Sequence, residues 1–242
     1  MSDVTPLYEG KAKIIYPTDR PDILRSYFKD DATAFNAQKK GIITGKGAMN
    51  CQISAHLFKK LEASGISTHF IDLLSANEMR VKAVAIVPLE VVVRNIAAGS
   101  LCQQTGLALG TVLPFPLVDF YYKNDALGDP LVTPDRIALL KLATAAQIDR
   151  LRESALRINQ ILTDFFQNCD MTLVDFKLEF GLDSNGQILL ADEISPDTCR
   201  LWDRSVADPD RRVLDKDRFR QDLGNVEQAY AQVMERVLSQ VV

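Results

Sequence analysis

Between Val174 and Phe180 the chain alternates without a break. Val174, Phe176, Leu178 and Phe180 are apolar, and Asp175, Lys177 and Glu179 between them are charged. A period of two belongs to a strand with one apolar and one charged face. The strand is expected over Met171–Phe180, and Gln187–Ile194 returns as its partner after Asn185-Gly186, a pair suited to a two-residue turn. In that register Ser184 faces Gln187, and Glu179 stands directly across from Asp192 on the charged face. Like charges placed opposite each other weaken a hairpin by up to about 1 kcal/mol, so something compensates them. Water and Lys177 can do so, and so can a divalent cation held between the carboxylates. The residues by themselves leave both open.

The apolar face of such a hairpin needs cover, and two helical stripes can supply it. Met49, Ile53, Leu57 and Leu61 recur at steps of four, with Gly65 closing the helix. Ile148, Leu151, Ala155, Ile158, Leu162 and Phe165 form a longer stripe, opened by a capping box in Thr144-Ala-Ala-Gln147. A last helix is expected to carry Phe219, Leu223, Val226, Tyr230, Val233 and Val237. Short strand-like runs fill the N-terminal part: Leu7–Tyr16, Asp22–Phe28, Ala32–Phe35, Thr68–Leu73, Arg80–Val87 and Leu89–Asn95. No internal repeat or low-complexity linker occurs, and the hinge between a β-rich first part and the remainder is expected near Pro88.

Composition limits the function. The chain has 242 residues, 47% of them hydrophobic and 25% charged, the profile of an ordinary folded protein. Its net charge of −4 argues against broad binding to a nucleic-acid backbone, which needs many clustered lysines and arginines. A small anionic ligand needs only a few local cations. No run could span a bilayer: the best, Ala83–Val93, is broken by Pro88 and Glu90. The opening Met-Ser-Asp-Val-Thr-Pro lacks the basic then apolar pattern of a signal peptide. Cys51, Cys102, Cys169 and Cys199 are scattered, which suits reduced thiols in a cytoplasmic protein. Two histidines, His56 and His69, are too few for a His-rich metal site, and both are read as structural. The stretch Gly41-Ile-Ile-Thr-Gly-Lys46-Gly47 misses both the phosphate-loop spacing and its Ser or Thr, and the third glycine of a dinucleotide fingerprint is absent.

Several strings, in order along nearly the whole chain, resemble the SAICAR synthetase family of purine biosynthesis. They are Tyr8-Glu-Gly-Lys-Ala-Lys13; Val91-Val-Val-Arg-Asn95 with Ala98-Gly-Ser-Leu101; Val174-Asp-Phe-Lys-Leu-Glu-Phe-Gly181; and Ala191-Asp-Glu-Ile-Ser-Pro-Asp197 with Arg200-Leu-Trp-Asp203. The resemblance implies a two-lobed α+β fold. A small β-rich N-terminal lobe (1–87), like those of kinases and ATP-grasp enzymes, joins a larger α/β C-terminal lobe (88–242), with substrates in the cleft between. It implies an ATP- and magnesium-dependent ligase that joins L-aspartate to the carboxylate of carboxyaminoimidazole ribonucleotide (CAIR), and it implies a homodimer. The chemistry is coherent. A carboxylate resists an amine nucleophile because its leaving group would be oxide, and phosphorylation replaces that with phosphate.

The same resemblance assigns roles residue by residue. Gly10, Lys11, Ala12 and Lys13 meet the ATP phosphates, the two lysines sharing one strand face. Arg94, Ser100 and Arg200 form the pocket for the substrate's 5′-phosphate, where the planar guanidinium makes paired hydrogen bonds. Lys123 and Asp129 line the substrate cleft, and Asp175 and Asp197 contact ribose hydroxyls. Lys177 neutralises developing charge, and Glu179 and Asp192 ligate magnesium.

Each residue also has a plainer reading. Lysines guard exposed strand edges, arginines form structural ion pairs, and Gly128 and Pro130 mark an ordinary surface loop. Trp202 reads as a packing residue. The chain departs from the family pattern at Gln103-Gln104, where a Lys-Arg pair is common, at Cys51, in place of asparagine, and at Ala37, in place of glycine. Two rivals are a small-molecule kinase on the same scaffold and a non-catalytic nucleotide-binding protein. Dependence of ADP release on L-aspartate separates all three.

Overall fold

The computed structural model describes residues 5–34 and 38–241. It begins with short strands, β1 (Tyr8–Glu9), β2 (Lys13–Pro17), β3 (Ile23–Phe28), β4 (Asp31–Ala34) and β5 (Lys39–Ile42), followed by helix α1 (Lys46–Ala63). Strands β6 (Phe70–Ser75), β7 (Glu78–Lys82) and β8 (Ala85–Ile96) come next, then α2 (Ser100–Thr105) and β9 (Val112–Tyr122). The C-terminal half holds α3 (Pro134–Leu139), α4 (Ala145–Asn168), β10 (Met171–Leu182), β11 (Ile188–Ala191), β12 (Cys199–Asp203), α5 (Asp217–Arg220) and α6 (Val226–Leu238).

Two five-stranded antiparallel sheets, with β4 and β5 paired separately as a two-stranded one, organise these elements into the expected two-lobed α+β architecture. The smaller runs β1-β2-β3-β7-β6. The larger runs β11-β10-β8-β9, with β12 on the same edge of β10 as β11. A parallel bridge from Thr68 to Leu190 ties the sheets together, with the His69 N–H donating to the Leu190 carbonyl at 2.8 Å. Helix α1 packs on the small sheet and on α6, while α4 lies across β8, β9 and β10. The α4 stripe from Ile148 to Phe165 is buried as expected, each large apolar side chain contributing roughly 1.5–3 kcal/mol. Its capping box is formed, with Thr144 and Gln147 exchanging hydrogen bonds with each other's backbone N–H.

Helix α1 starts at Lys46, three residues before the first residue of its apolar stripe, because Asp30 replaces an N-cap side chain. The Asp30 carboxylate accepts from the Gly45 and Gly47 N–H groups at 3.0 and 2.8 Å. The amides of the glycine-rich near-miss therefore hold a carboxylate of the protein itself.

Several expectations are corrected. The turn after β10 spans Ser184-Asn185-Gly186, not two residues, because Asp183 Oδ1 accepts from the Asn185 and Gln187 N–H groups. Glu179 consequently pairs with Ala191, not Asp192. Pro88 lies within continuous strand β8, opposite the bulge in its pairing with β10, and the strand break falls at Ala83-Val84. The last helix is two pieces, since Asp222, Gly224 and Asn225 all take positive φ between α5 and α6. Leu7–Tyr16 is a tight hairpin, closed by the Gly10 N–H donating to the Lys13 carbonyl at 2.8 Å. Lys11 therefore sits in the turn and shares no strand face with Lys13. Strands β5, β9 and β12 were not anticipated. Phe35, at the end of the run expected over Ala32–Phe35, and Ala37 lie outside the described residues.

Candidate active site

The two sheets face each other across a cleft of about 500 Å³. Every residue singled out from the sequence lines it: Gly10, Lys11, Ala12 and Lys13 from the β1–β2 hairpin, Arg94 and Ser100 from β8 and α2, Lys123 and Asp129 from the loop after β9, and Asp175, Lys177, Glu179, Asp192, Asp197 and Arg200 from β10 to β12 and the segment between. They separate into two charged centres.

The first centre is organised by Lys177. The alternation of β10 turns Lys177 and Glu179 to the same face, and Lys177 Nζ lies 2.5 Å from Glu179 Oε1, 3.2 Å from Glu90 Oε1 and 3.3 Å from Asp192 Oδ2. Lys13 reaches Asp192 from the other sheet and sits 3.1 Å from Glu193 Oε1, and Lys123 pairs with Glu179. Burial disfavours the charge on Lys177, but Glu179, Asp192 and Glu90 outweigh it and hold the ammonium well above its ordinary range. Lys13 is raised in the same way, against its burial, by Asp192 and Glu193. Asp192 is held low: burial opposes its charge, and Lys13 and Lys177 prevail. All three stay ionised near neutral pH. Lys11, at the hairpin tip, meets Asp125 at 2.7 Å, and that contact raises its pKa.

The second centre is built around two arginines. The Arg94 Nε lies 2.9 Å from Asp119 Oδ2, and its Nη2 donates to Ser100 Oγ at 3.1 Å and Tyr121 Oη at 2.8 Å. Arg200 Nη1 lies 2.8 Å from Asp175 Oδ2 and its Nε 2.7 Å from Asp217 Oδ2. Asp175 also meets Arg94 at 3.3 Å, which follows from the pairing of Asp175 with Arg94 between β10 and β8. The Arg200 guanidinium lies over Gly99, where any Cβ would stand 2.6 Å from Nη2. Only glycine admits that approach, and its φ of 53° suits it as well.

The remaining residues have visible local work. Asp129 Oδ1 accepts from the Asn124 N–H at 2.8 Å and so shapes the loop that carries Lys123. Asp197 accepts from Tyr230 Oη at 2.6 Å and from Lys46 Nζ at 2.9 Å, and these buried partners hold it at the back of the cleft. Gln103 and Gln104 are exposed on α2 and do not line the cleft, and Cys51 is buried in the core. Trp202 packs beneath the Arg212 guanidinium, 3.7 Å from its ring centre. Glu90, Tyr121, Glu193, Lys216 and Arg220 also line the cleft. Glu193 follows Asp192 within a string already recognised, so its position could have flagged it. The others converge only through strand register and chain reversals.

Glu179 and Asp192 also suit a magnesium ion. Among the described residues no three His, Cys, Asp or Glu side chains form a metal-ligating group. Magnesium needs few protein carboxylates, however, and completes its shell with phosphate and water oxygens. Two carboxylates reaching one ammonium beside an open cleft match that donor set.

Small and large antiparallel sheets around a cleft of paired lysines, arginines and carboxylates define an α+β protein whose cleft suits phosphate-bearing, anionic ligands. Comparison with known proteins makes this specific. The family model described as SAICAR synthetase matches residues 6–237, and the chain belongs to that family. A phosphoribosylaminoimidazole-succinocarboxamide synthase of Acaryochloris marina is 72% identical over 234 residues, covering 97% of this chain and 96% of that protein. The crystal structure of the synthase from Ehrlichia chaffeensis superposes with a TM-score of 0.93 at 46% identity, covering 98% of this chain and all of the other. A SAICAR synthetase solved in complex with ADP gives a TM-score of 0.92 at 48% identity, covering 97% and 98%. Among the described residues no helix is long and apolar enough to cross a membrane.

Proposed function

We propose that the chain joins L-aspartate to the carboxylate of CAIR, using ATP, to form SAICAR, ADP and phosphate. The observation that carries the reading is the meeting of Lys13 from the small sheet and Lys177 from the large one on Asp192, beside an arginine pair in the same cleft. One cation cluster suits a triphosphate and the other a sugar phosphate. The complex of a relative with ADP supports ATP as the co-substrate.

In this reading Gly10, Lys11, Ala12 and Lys13 meet the ATP phosphates, and Arg94, Ser100 and Arg200 hold the 5′-phosphate of CAIR. Lys123 and Asp129 line the substrate cleft, and Asp175 and Asp197 meet the ribose hydroxyls. An oxygen of the CAIR carboxylate takes the γ-phosphoryl group, releasing ADP. The aspartate amine then attacks the acyl carbon, the carbon–oxygen bond breaks with its electron pair on phosphate, and the amine loses a proton to solvent. Lys177 neutralises charge on the acyl phosphate as it forms. Glu179 and Asp192 would hold magnesium, which when bound offsets phosphate charge. The protein acts as a cytoplasmic homodimer whose lobes divide at Ala83-Val84, between β7 and β8.

The test is a coupled assay of ADP release with ATP and magnesium. ADP formation that needs both CAIR and L-aspartate supports the reading. Release of a phosphorylated product without L-aspartate would favour a kinase instead, and binding of ATP without turnover would overturn the enzymatic reading.

A further inference from the structure

Two carboxylates meet Lys13, and the deeper one has no part in the reading above. The Glu193 side chain is 4% exposed, against 17% for Asp192. Its Oε1 lies 3.1 Å from Lys13 Nζ, and its Oε2 accepts from Ser195 Oγ at 2.5 Å. Ser195 is itself fixed on every side. Its hydroxyl accepts from the Asp197 N–H at 3.1 Å, its N–H donates to Thr198 Oγ1 at 3.1 Å, and its carbonyl accepts from the N–H groups of Thr198 and Cys199. Helix α1 anchors the same segment from behind, since Ser54 Oγ donates to the Ile194 carbonyl at 3.0 Å and accepts from the Ile194 N–H at 3.2 Å. The Phe28 ring centre lies 5.2 Å from Lys13 Nζ and limits its movement further. Asp192, by contrast, is more exposed and is shared with Lys177.

We propose that Glu193, braced by Ser195, is the residue that positions Lys13 for the nucleotide phosphates. The proposal rests on the reading of Lys13 as a phosphate-binding residue and adds what holds it there. A lysine side chain carries much rotamer freedom, and fixing it before the ligand arrives removes an entropic penalty from binding. A nearly buried carboxylate already held by Ser195 does this without having to move. It also keeps Lys13 in place when Asp192 turns toward another cation.

ADP titration of the full-length protein tests this in Glu193→Gln, Ser195→Ala, Lys13→Met and the double variant Lys13→Met/Glu193→Gln, with KM measured for ATP, CAIR and L-aspartate. Glu193→Gln preserves shape and is expected to weaken ADP binding and raise the KM for ATP about tenfold, while the other two KM values stay within about twofold. Ser195→Ala moves ATP affinity the same way by a smaller factor. Because Glu193 acts through Lys13, the double variant should bind ADP no more weakly than Lys13→Met alone. Additive losses in the double variant overturn the proposal, as does wild-type ADP binding by Glu193→Gln when Lys13→Met fails to bind. Wild-type ADP binding by Lys13→Met overturns instead the underlying reading of Lys13.

Discussion

Lys46 Nζ lies 2.9 Å from Asp197 Oδ2, with the lysine side chain 1% exposed and the aspartate 5%. Tyr230 Oη donates to the other carboxylate oxygen, and Lys216 stands 3.7 Å away. This ion pair ties α1 to the segment behind the cleft, and Tyr230 brings α6 to the same point. Removing one partner of a buried pair leaves an uncompensated charge, at a cost of roughly 3–5 kcal/mol. Since Asp197 keeps two other partners, Lys46→Met is expected near the lower end, about 3 kcal/mol. Urea unfolding of the variant measures this directly, and an unchanged midpoint would remove the structural role of the pair.

Gly47→Ala sets two effects against each other. In a helix, alanine exceeds glycine by roughly 0.5–1 kcal/mol. At this site, however, a Cβ would stand 2.3 Å from the Phe28 carbonyl oxygen and 2.8 Å from its carbon. Those are backbone atoms, which yield far less readily than a side-chain tip, so overpacking of about 3 kcal/mol is expected to win. A lowered melting temperature in Gly47→Ala is the predicted outcome, and a raised one would show that the β3–β4 turn can move.

The pH dependence of stability should begin with His69. Burial, aided by the charge of Lys13, pushes its pKa from 6.5 to about 3. Between those values the unfolded chain binds a proton that the folded one does not. The His69 contribution to stability therefore falls as pH drops below 6.5, by up to about 1.4 kcal/mol per unit, while Asp215, whose carboxyl is pushed up to about 7 by burial and by Asp217, contributes in the opposite sense over the same range. His56, also lowered by burial, contributes in the same sense as His69. Asp192 and Asp197, held low, add their own losses only at more acid pH, below the ordinary carboxylate value. Going from pH 7 to pH 5 should therefore lower the urea midpoint less in His69→Gln than in the unmodified chain. Equal losses in the two proteins would assign the acid sensitivity elsewhere.

How far the sequence anticipates the molecule follows from the range of the forces involved. Helix α4 is legible because its stripe and its Thr144–Gln147 box are local. Strand β9 escapes notice because Pro114 and Pro116 speak against a strand, and its place at the sheet edge is what tolerates them. The hairpin register slips by one because the Asp183 side chain, not the Asn185-Gly186 pair alone, sets the loop length. At the cleft, recognised strings supplied residues that do converge. Their partners Glu90 and Tyr121 become visible only once β8, β9 and β10 are in register.

Arg94→Lys separates charge from geometry. The guanidinium divides its donors among Asp119, Asp175, Ser100 and Tyr121, an arrangement an ammonium cannot reproduce. The variant keeps the charge and loses the fork, which should raise the KM for CAIR by about 10- to 100-fold, the worth of one or two charged hydrogen bonds. The KM for ATP should hold. Equal changes in both constants would move Arg94 out of the nucleotide-monophosphate pocket.

Asp192 reaches the site by an unusual route. Strand β11 ends at Ala191, paired with Glu179, so an extended residue 192 would stand opposite Leu178 and point to the apolar face. Instead Asp192 takes a φ of 60°, and its carboxylate comes back to Lys13 and Lys177. Left-handed backbone outside glycine is best tolerated by aspartate and asparagine. Asp192→Asn should therefore keep the turn while losing the charge, and Glu179→Gln does the equivalent on β10. If these two carboxylates hold magnesium, each substitution should raise the magnesium concentration needed for half-maximal ADP formation by about tenfold or more, with melting temperatures little changed because Lys13 retains Glu193 and Lys177 retains Glu90. Magnesium titrations of the two variants, run at saturating ATP, CAIR and L-aspartate, provide the check. Metal dependence identical to the unmodified enzyme in both would assign the carboxylates to charge balance for the lysines alone.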